Sequence, residues 1–269
     1  MDLAAETVLL KTEALCVSVR PFAHTSQMVT WITRDYGRIT TAIKGAQRPK
    51  SGFVGRYDVG TTCEVVFYAR DHRGVHYIRE VTPLAFREGL RRTWRAGIAA
   101  SYACDLTMRI AQPSLRNEAL YATLEETLDG LERARPSEIP LILLWHECRT
   151  LVATGVAPDF TRCPACPPSP RADFSMEEGR LICAHRPTRL RRPPTITLHE
   201  EVLSLFTQMA HEPLEALQTA ARASTRQDAL GRPEPFPGIF GLRRFLGLFL
   251  AEHLDLLPGP RRTALELLI

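Results

Sequence analysis

The chain has little of what marks a secreted, membrane-bound or disordered protein. No stretch reaches the ~18 uninterrupted apolar residues of a membrane span. The most apolar one, Ile239 to Leu257, is cut by Arg243, Arg244, Glu252 and Asp255. A basic leader is missing too, because Met1-Asp2-Leu3-Ala4-Ala5-Glu6 puts acids where a secretory signal carries bases. The expectation is a soluble cytoplasmic protein. The seven cysteines are odd in number, and the sequence around Cys16, Cys63, Cys104 and Cys148 is apolar, so a disulfide framework is not the reading. Aromatics are only 7%, and charge of one sign is scarce: 34 basic against 30 acidic residues give +4. That balance is too mild to declare a nucleic-acid binder, so the placement of the charge has to decide. What remains, 45% hydrophobic and 24% charged over 269 residues, is ordinary globular composition for one or two domains.

Catalytic constellations are absent as well. His146-Glu147 and His199-Glu200 each begin a zinc-protease pattern, but Thr150 and Leu203 stand where the second histidine belongs. No Gly-x-Ser-x-Gly elbow occurs. Gly45 to Ser51 looks like a phosphate loop, yet it lacks the glycine before Lys50-Ser51, and Pro49 removes a backbone donor that the cradle needs. The expectation is that the protein is not an enzyme.

Strand signals fill the first eighty or so residues. Thr7–Val19 and Ser26–Thr33 are rich in β-branched residues, and Arg38–Ile43 alternates Ile39, Thr41 and Ile43 with Arg38, Thr40 and Ala42. Thr62–Ala69 and Val75–Val81 follow, joined by a turn at Asp71-His72-Arg73-Gly74. Five short strands at this spacing suggest a small closed barrel, OB-like or SH3-like. From Pro83 the period becomes helical: Leu84–Ala111, then Leu120, Leu124, Leu128 and Leu131, then Ile139–Thr154, Leu198–Met209, Pro213–Ala223 and Gly241–Leu254. Residues 158–194 interrupt the helices with a proline-rich, irregular insertion. The fold class is α+β: a barrel over residues 1–82, then an α-helical domain over 83–269 carrying that insertion.

The charge is concentrated. Arg34, Arg38, Lys44, Arg48, Lys50 and Arg56 face one acid, Asp35, between positions 34 and 56, an excess of +5 that exceeds the net charge of the whole chain. Beside a barrel, such a segment is either a phosphate-binding groove for a nucleic-acid strand or a solubilising loop. Phe53, Tyr57 and Tyr68 lie nearby, either to stack on bases or to fill the barrel.

Cys163-Pro164-Ala165-Cys166 and Cys183 fit three positions of the C-x2-C-x15–20-C-x2-C zinc template, because two thiolates of one turn can point at one tetrahedral centre. Arg186 occupies the fourth position and cannot ligate. Either His185 completes a Cys3His site if the second turn relaxes, or the ribbon is degenerate and survives by packing without metal. A disulfide between Cys163 and Cys166 on oxidation is a third state. Nothing supplies a base for a catalytic zinc.

Several segments resemble one family. They are Val8-Leu9-Leu10-Lys11-Thr12, Pro21-Phe22 followed by Thr25 to Thr30, Thr33-Arg34-Asp35-Tyr36-Gly37-Arg38, the Ala42-Ile43-Lys44-Gly45-Ala46-Gln47-Arg48-Pro49-Lys50-Ser51 loop, and Gly241 to Leu254 near the other end. Together they resemble the bacterial DNA repair and recombination mediators of the RecO family. The resemblance implies an N-terminal OB-fold, a helical domain with an inserted zinc ribbon, and annealing of complementary single strands without ATP. It also implies binding of single- and double-stranded DNA, a nucleoid-associated location, RecR and the acidic tail of the single-stranded DNA-binding protein as partners, and indirect help to RecA. By position, Arg34, Arg38, Lys44, Arg48, Lys50 and Arg56 are the DNA-binding candidates. Cys163, Cys166, Cys183 and His185 are the metal candidates. Arg243 and Arg244, with Arg261 and Arg262 further on, could receive an acidic peptide. On the alternative reading the helical body is an interaction adaptor and DNA contact is secondary.

Overall fold

A computed structural model describes residues 8–70, 74–167, 169–183, 185, 194–227, 231, 234–256 and 258–266. The chain divides into two compact units, one running through Ile139 and the other beginning at Pro140. The turn expected at Asp71-His72-Arg73 and the Arg186 position lie outside the described residues.

The first unit is built on a five-stranded closed barrel: β1 Leu9–Phe22, β2 Ser26–Thr33, β3 Gly37–Ile43, β4 Thr62–Tyr68 and β5 Val75–Ala85. The order is β1-β2-β3-β5-β4, with β1 pairing both β2 and β4, and the barrel closes through a parallel β3–β5 pair. This is the OB-like arrangement. The register of β1 shifts between Cys16 and Ser18, and such a bulge lets one long strand bend to serve two neighbours. Alternation sends Trp31, Ile39, Ile43, Cys63, Val65 and Phe67 inward, and Trp31 Nε1 donates to Thr41 Oγ1 at 2.9 Å inside the barrel. β5 runs on past Pro83 to Ala85. Its pairing with β3 ends at Tyr77, opposite Ala42, so Pro83 sits where one side of the strand needs no N–H.

The expected helix over Leu84–Ala111 is two helices, α1 Gly89–Arg92 and α2 Trp94–Ile110. Thr93 between them is extended and caps α2, accepting from Ala96 N at 3.2 Å. α3, Glu118–Arg133, starts on an Asn117 cap and buries Leu120, Leu124, Leu128 and Leu131. Arg87 ties barrel to helices, with Nε on Asp129 at 2.6 Å and Nη1 on Gly60 O and Thr62 Oγ1.

The second unit opens with the apolar α4, Ile139–Ala153, and continues through β6 Arg171–Ser175, β7 Arg180–Ile182 and β8 Thr195–His199. The stretch that reads as irregular thus contains most of a three-stranded antiparallel sheet, ordered β7-β6-β8. β8 takes Leu198, so the next helix, α5, begins at Glu200 and runs to His211. α6 Leu214–Ala223, α7 Ile239–Leu254 and α8 Pro258–Glu266 complete the unit. Phe160, Phe174, Phe206, Phe245 and Phe249 pack edge to face or tilted, joining sheet to helices.

Burial pushes the thiols of Cys63 and Cys104 up to about 12 and raises Cys16 and Cys148 well above the ordinary range, desolvation leading in each case. In an unfolded chain thiols ionise near 8.5, so above that pH the folded state holds more protons and stability falls as pH rises. The expected slope is about 1.4 kcal/mol per pH unit for each such thiol, and urea melts at increasing alkaline pH measure it. Cys63→Ala should flatten the slope. A variant that keeps the parent slope would show that Cys63 is not among the thiols responsible.

Candidate nucleic-acid interface and metal centre

The six basic candidates do not form one patch. Arg34 and Arg38 flank the β2–β3 hairpin, while Lys44 stands just beyond the other end of β3. At ~3.4 Å per residue that strand separates Arg38 from Lys44 by roughly 20 Å. Arg34 lies 2.7 Å from Glu13 and 4.0 Å from Glu125, with its guanidinium over the Tyr121 ring. Arg38 is half-buried where β3 bridges to Pro113. Arg34 is thus engaged within the first unit, and the Arg38 Nε is out of solvent.

Lys44, Arg48, Lys50 and Arg56 are exposed on the loop from Ile43 to Thr62. That loop is a chain of tight turns: Arg48 N donates to Gly45 O, Ser51 N to Arg48 O, Val54 N to Ser51 O and Arg56 N to Phe53 O. Gly45 has φ +65°, a left-handed conformation that favours glycine, and a Cβ there would also press on the Arg48 side chain at 3.2 Å, so the glycine suits the turn. The Arg56 guanidinium also bonds Val81 O at 3.2 Å. The loop therefore presents its cations from a fixed backbone.

Next to Lys44 the barrel surface opens into a cleft of about 430 Å³ lined in part by Phe53, Tyr68, Arg70 and Tyr77. Lys44 Nζ sits 4.8 Å, and the Arg70 guanidinium 4.4 Å, from the Tyr77 ring centroid. Among the described residues, those lining this cleft include no carboxylate. Of the three aromatics singled out in the sequence, Tyr57 bonds Gln27 at 2.5 Å and meets Trp31 edge-on, and Phe53 packs against the barrel core while lining the cleft. Tyr68 is 36% exposed. Sequence reading missed Arg70 and Tyr77. Their only signal is a Tyr and an Arg at the ends of two strands that pair.

In the second unit Cys163, Cys166, Cys183 and His185 converge, their ligand atoms all within 4.8 Å of one another. Cys166 N donates to Cys163 O at 3.0 Å, closing the turn that aims both thiols one way. Cys183 follows β7, and His185, two residues on, brings Nδ1 to 3.4 Å from Cys166 Sγ. A tetrahedral Cys3His shell around zinc needs ligand atoms about 3.5–3.8 Å apart, so the cluster needs little closing to hold a metal ion. The Cys166 thiol is pushed up to about 11, by desolvation first and then by hydrogen bonds with Cys183 and Cys163.

On α7, Arg244 and Leu248 are exposed one turn apart. Arg243 is half-buried, and its carbonyl accepts from Arg261 at 3.0 Å. Arg261 is spent inside the unit, forked onto the fully buried Glu147 at 2.7 and 2.8 Å. The His146-Glu147 pair is thus part of the interior packing. Among the described residues no helix is long and apolar enough to cross a membrane.

Comparison with known proteins covers nearly the whole chain. Residues 7–87 match the family model described as Recombination protein O N terminal, and residues 91–262 match Recombination protein O C terminal. The chain is 24% identical over 262 residues to DNA repair protein RecO of Chlorobium luteolum, covering 96% of this chain and 97% of that one. It is 26% identical over 249 residues to DNA repair protein RecO of Myxococcus xanthus, covering 90% and 91%. The protein of the same name from Desulforudis audaxviator is 26% identical over 210 residues, covering 77% and 82%.

Proposed function

The chain belongs to the RecO family of DNA repair proteins, and from that premise we propose that it binds single- and double-stranded DNA through the barrel and anneals complementary strands without ATP. The observation that carries this reading is the cleft where Lys44 and Arg70 meet Tyr68 and Tyr77, continued by Arg48, Lys50 and Arg56 on the ordered loop. Cations beside aromatics on a barrel face suit a track for phosphates and bases. Annealing asks only that repulsion between two phosphate backbones be screened, which such cations supply, so the reading calls for no catalytic residue. Arg34 and Arg38, at the far end of β3, would extend the track only for a strand that wraps the barrel.

The test is affinity against salt. Five phosphate contacts predict a fall of roughly 10²-fold for single strands between about 50 and 200 mM salt. Lys44→Ala or Arg48→Ala should each reduce the magnitude of the log–log slope by about 0.7. An unchanged slope in both variants removes the loop from the footprint.

The same proposal includes partners in RecA loading: RecR and the acidic tail of the single-stranded DNA-binding protein. Arg244 and Leu248, exposed on one face of α7, suit a peptide that is acidic and ends in an apolar residue. Zinc is the proposed ion at Cys163, Cys166, Cys183 and His185, where it would cross-link the Cys163–Cys166 turn to the end of β7. Three thiolates with one imidazole are a donor set that zinc favours.

A further inference from the structure

We propose that Tyr77 is the positioning residue of a subsite for one unpaired nucleotide, holding Lys44 and Arg70 for two successive phosphates while Tyr68 meets the base. The inference rests on the DNA-binding reading above and deepens it.

The placement follows from strand pairing. β5 lies between β3 and β4, with Tyr77 opposite Ala42 on one side and opposite Tyr68 on the other. Phe67 is buried in the barrel core and Ile78, its partner across the strands, packs against that core, so Tyr68 and Tyr77 point outward. Lys44 follows Ala42 by two residues and Arg70 follows Tyr68 by two. The two cations therefore come from the strands on either side of Tyr77 and meet at its ring, 4.8 and 4.4 Å from the centroid. Two like charges so placed repel, and the negative face of the ring offsets that repulsion by attracting both. Arg70 is held further by its backbone N–H, which donates to His76 Nδ1 at 3.1 Å.

A ring engaged by two cations is poorly placed to stack on a base. That role falls to Tyr68, which borders the same cleft and is 36% exposed. A duplex presents phosphates outward and keeps its bases stacked and paired within, so a cation pair and an aromatic this close together can engage phosphate and base at once only where the base is unpaired. The cleft volume of about 430 Å³ is in the range that takes a group of this size.

The test measures binding of a short oligothymidylate and of a duplex of equal length, by fluorescence anisotropy across a salt series, with thermal melts of each variant. Tyr77→Phe keeps the ring and should keep affinity and slope. Tyr77→Leu should reduce the magnitude of the single-strand slope by about 1.4, the value of two phosphate contacts. In the Lys44→Ala/Arg70→Ala background it should change nothing further. Tyr68→Ala should weaken single-strand binding roughly tenfold and leave duplex binding within about twofold. The Lys44→Ala/Arg70→Ala variant alters only exposed groups, and if it keeps the native slope the subsite is wrong whether or not Tyr77→Leu folds. An additive effect of Tyr77→Leu in that background, or equal losses for both DNAs in Tyr68→Ala, also overturns it. A parent protein that binds neither DNA at low salt fails the DNA-binding reading itself. A parent that binds while every variant behaves like it fails the subsite alone.

Discussion

Arg261→Ala lowers the unfolding free energy by about 3–5 kcal/mol. Glu147, on α4, has no exposed surface, and the Arg261 side chain on α8 is 14% exposed. Both carboxylate oxygens accept from the fork, Nε at 2.7 Å and Nη2 at 2.8 Å, and Nη2 also donates to Arg243 O. Removing the guanidinium leaves a carboxylate in an apolar interior without its bidentate cation, and desolvation, not the lost attraction, dominates the cost. Arg261→Lys should lose less, because the charge survives while the planar fork does not. Gly247 belongs to the same arrangement: a Cβ there would meet Arg261 Nη1 at 2.8 Å, so Gly247→Ala should displace the fork and reproduce part of the loss. Urea melts with a fixed m-value decide the matter. A loss under ~1 kcal/mol for Arg261→Ala would mean that water replaces the arginine.

Metal is the second large effect. The parent protein should carry one zinc per chain, and Cys183→Ala or His185→Ala should abolish stoichiometric binding. Thermal melts should shift with zinc as linkage requires, by about 2.7 kcal/mol of added stability when free zinc is a hundred times Kd. Chelation should loosen the three-stranded sheet around Cys183 and leave the barrel transition in place, because the four ligands all lie in the second unit. Absence of metal together with melts indifferent to zinc would favour a ribbon held by the Phe160–Phe174–Phe245 packing alone. His185→Ala separates these outcomes sharply, since histidine adds little to that packing and much to a Cys3His shell.

The strands of the barrel were legible because period-two alternation is local: Ile39, Thr41 and Ile43 declare an inward face without knowledge of any partner. Helix α3 was legible for the same reason, its leucines recurring once per turn. Boundaries were less so. Pro83 reads as the end of the strands, yet β5 continues to Ala85 against β4, because past Tyr77 no β3 residue lies opposite it to require a donor on that side. Leu198 reads as helical, but it pairs with Ala172 in β8, where tertiary hydrogen bonds outweigh its own preference. The fourth ligand was legible only as one of two readings, His185 completing the site or a degenerate ribbon. Template spacing points to Arg186, whereas the chain after β7 brings His185 to the thiols one residue earlier.

By itself the sequence determined the barrel-then-helices architecture, the concentration of positive charge between positions 34 and 56, and the three cysteines in ribbon spacing, all of which depend on neighbours along the chain. The tertiary structure decided which charges act together. It parted Arg38 from Lys44 along one strand, drew Arg70 and Tyr77 to Lys44 across three, and turned Arg261 from a surface candidate into the partner of Glu147. The reason lies in strand geometry. An extended strand moves the chain ~3.4 Å per residue, while pairing sets distant segments ~4.8 Å apart, so position in a sheet overrides proximity in sequence.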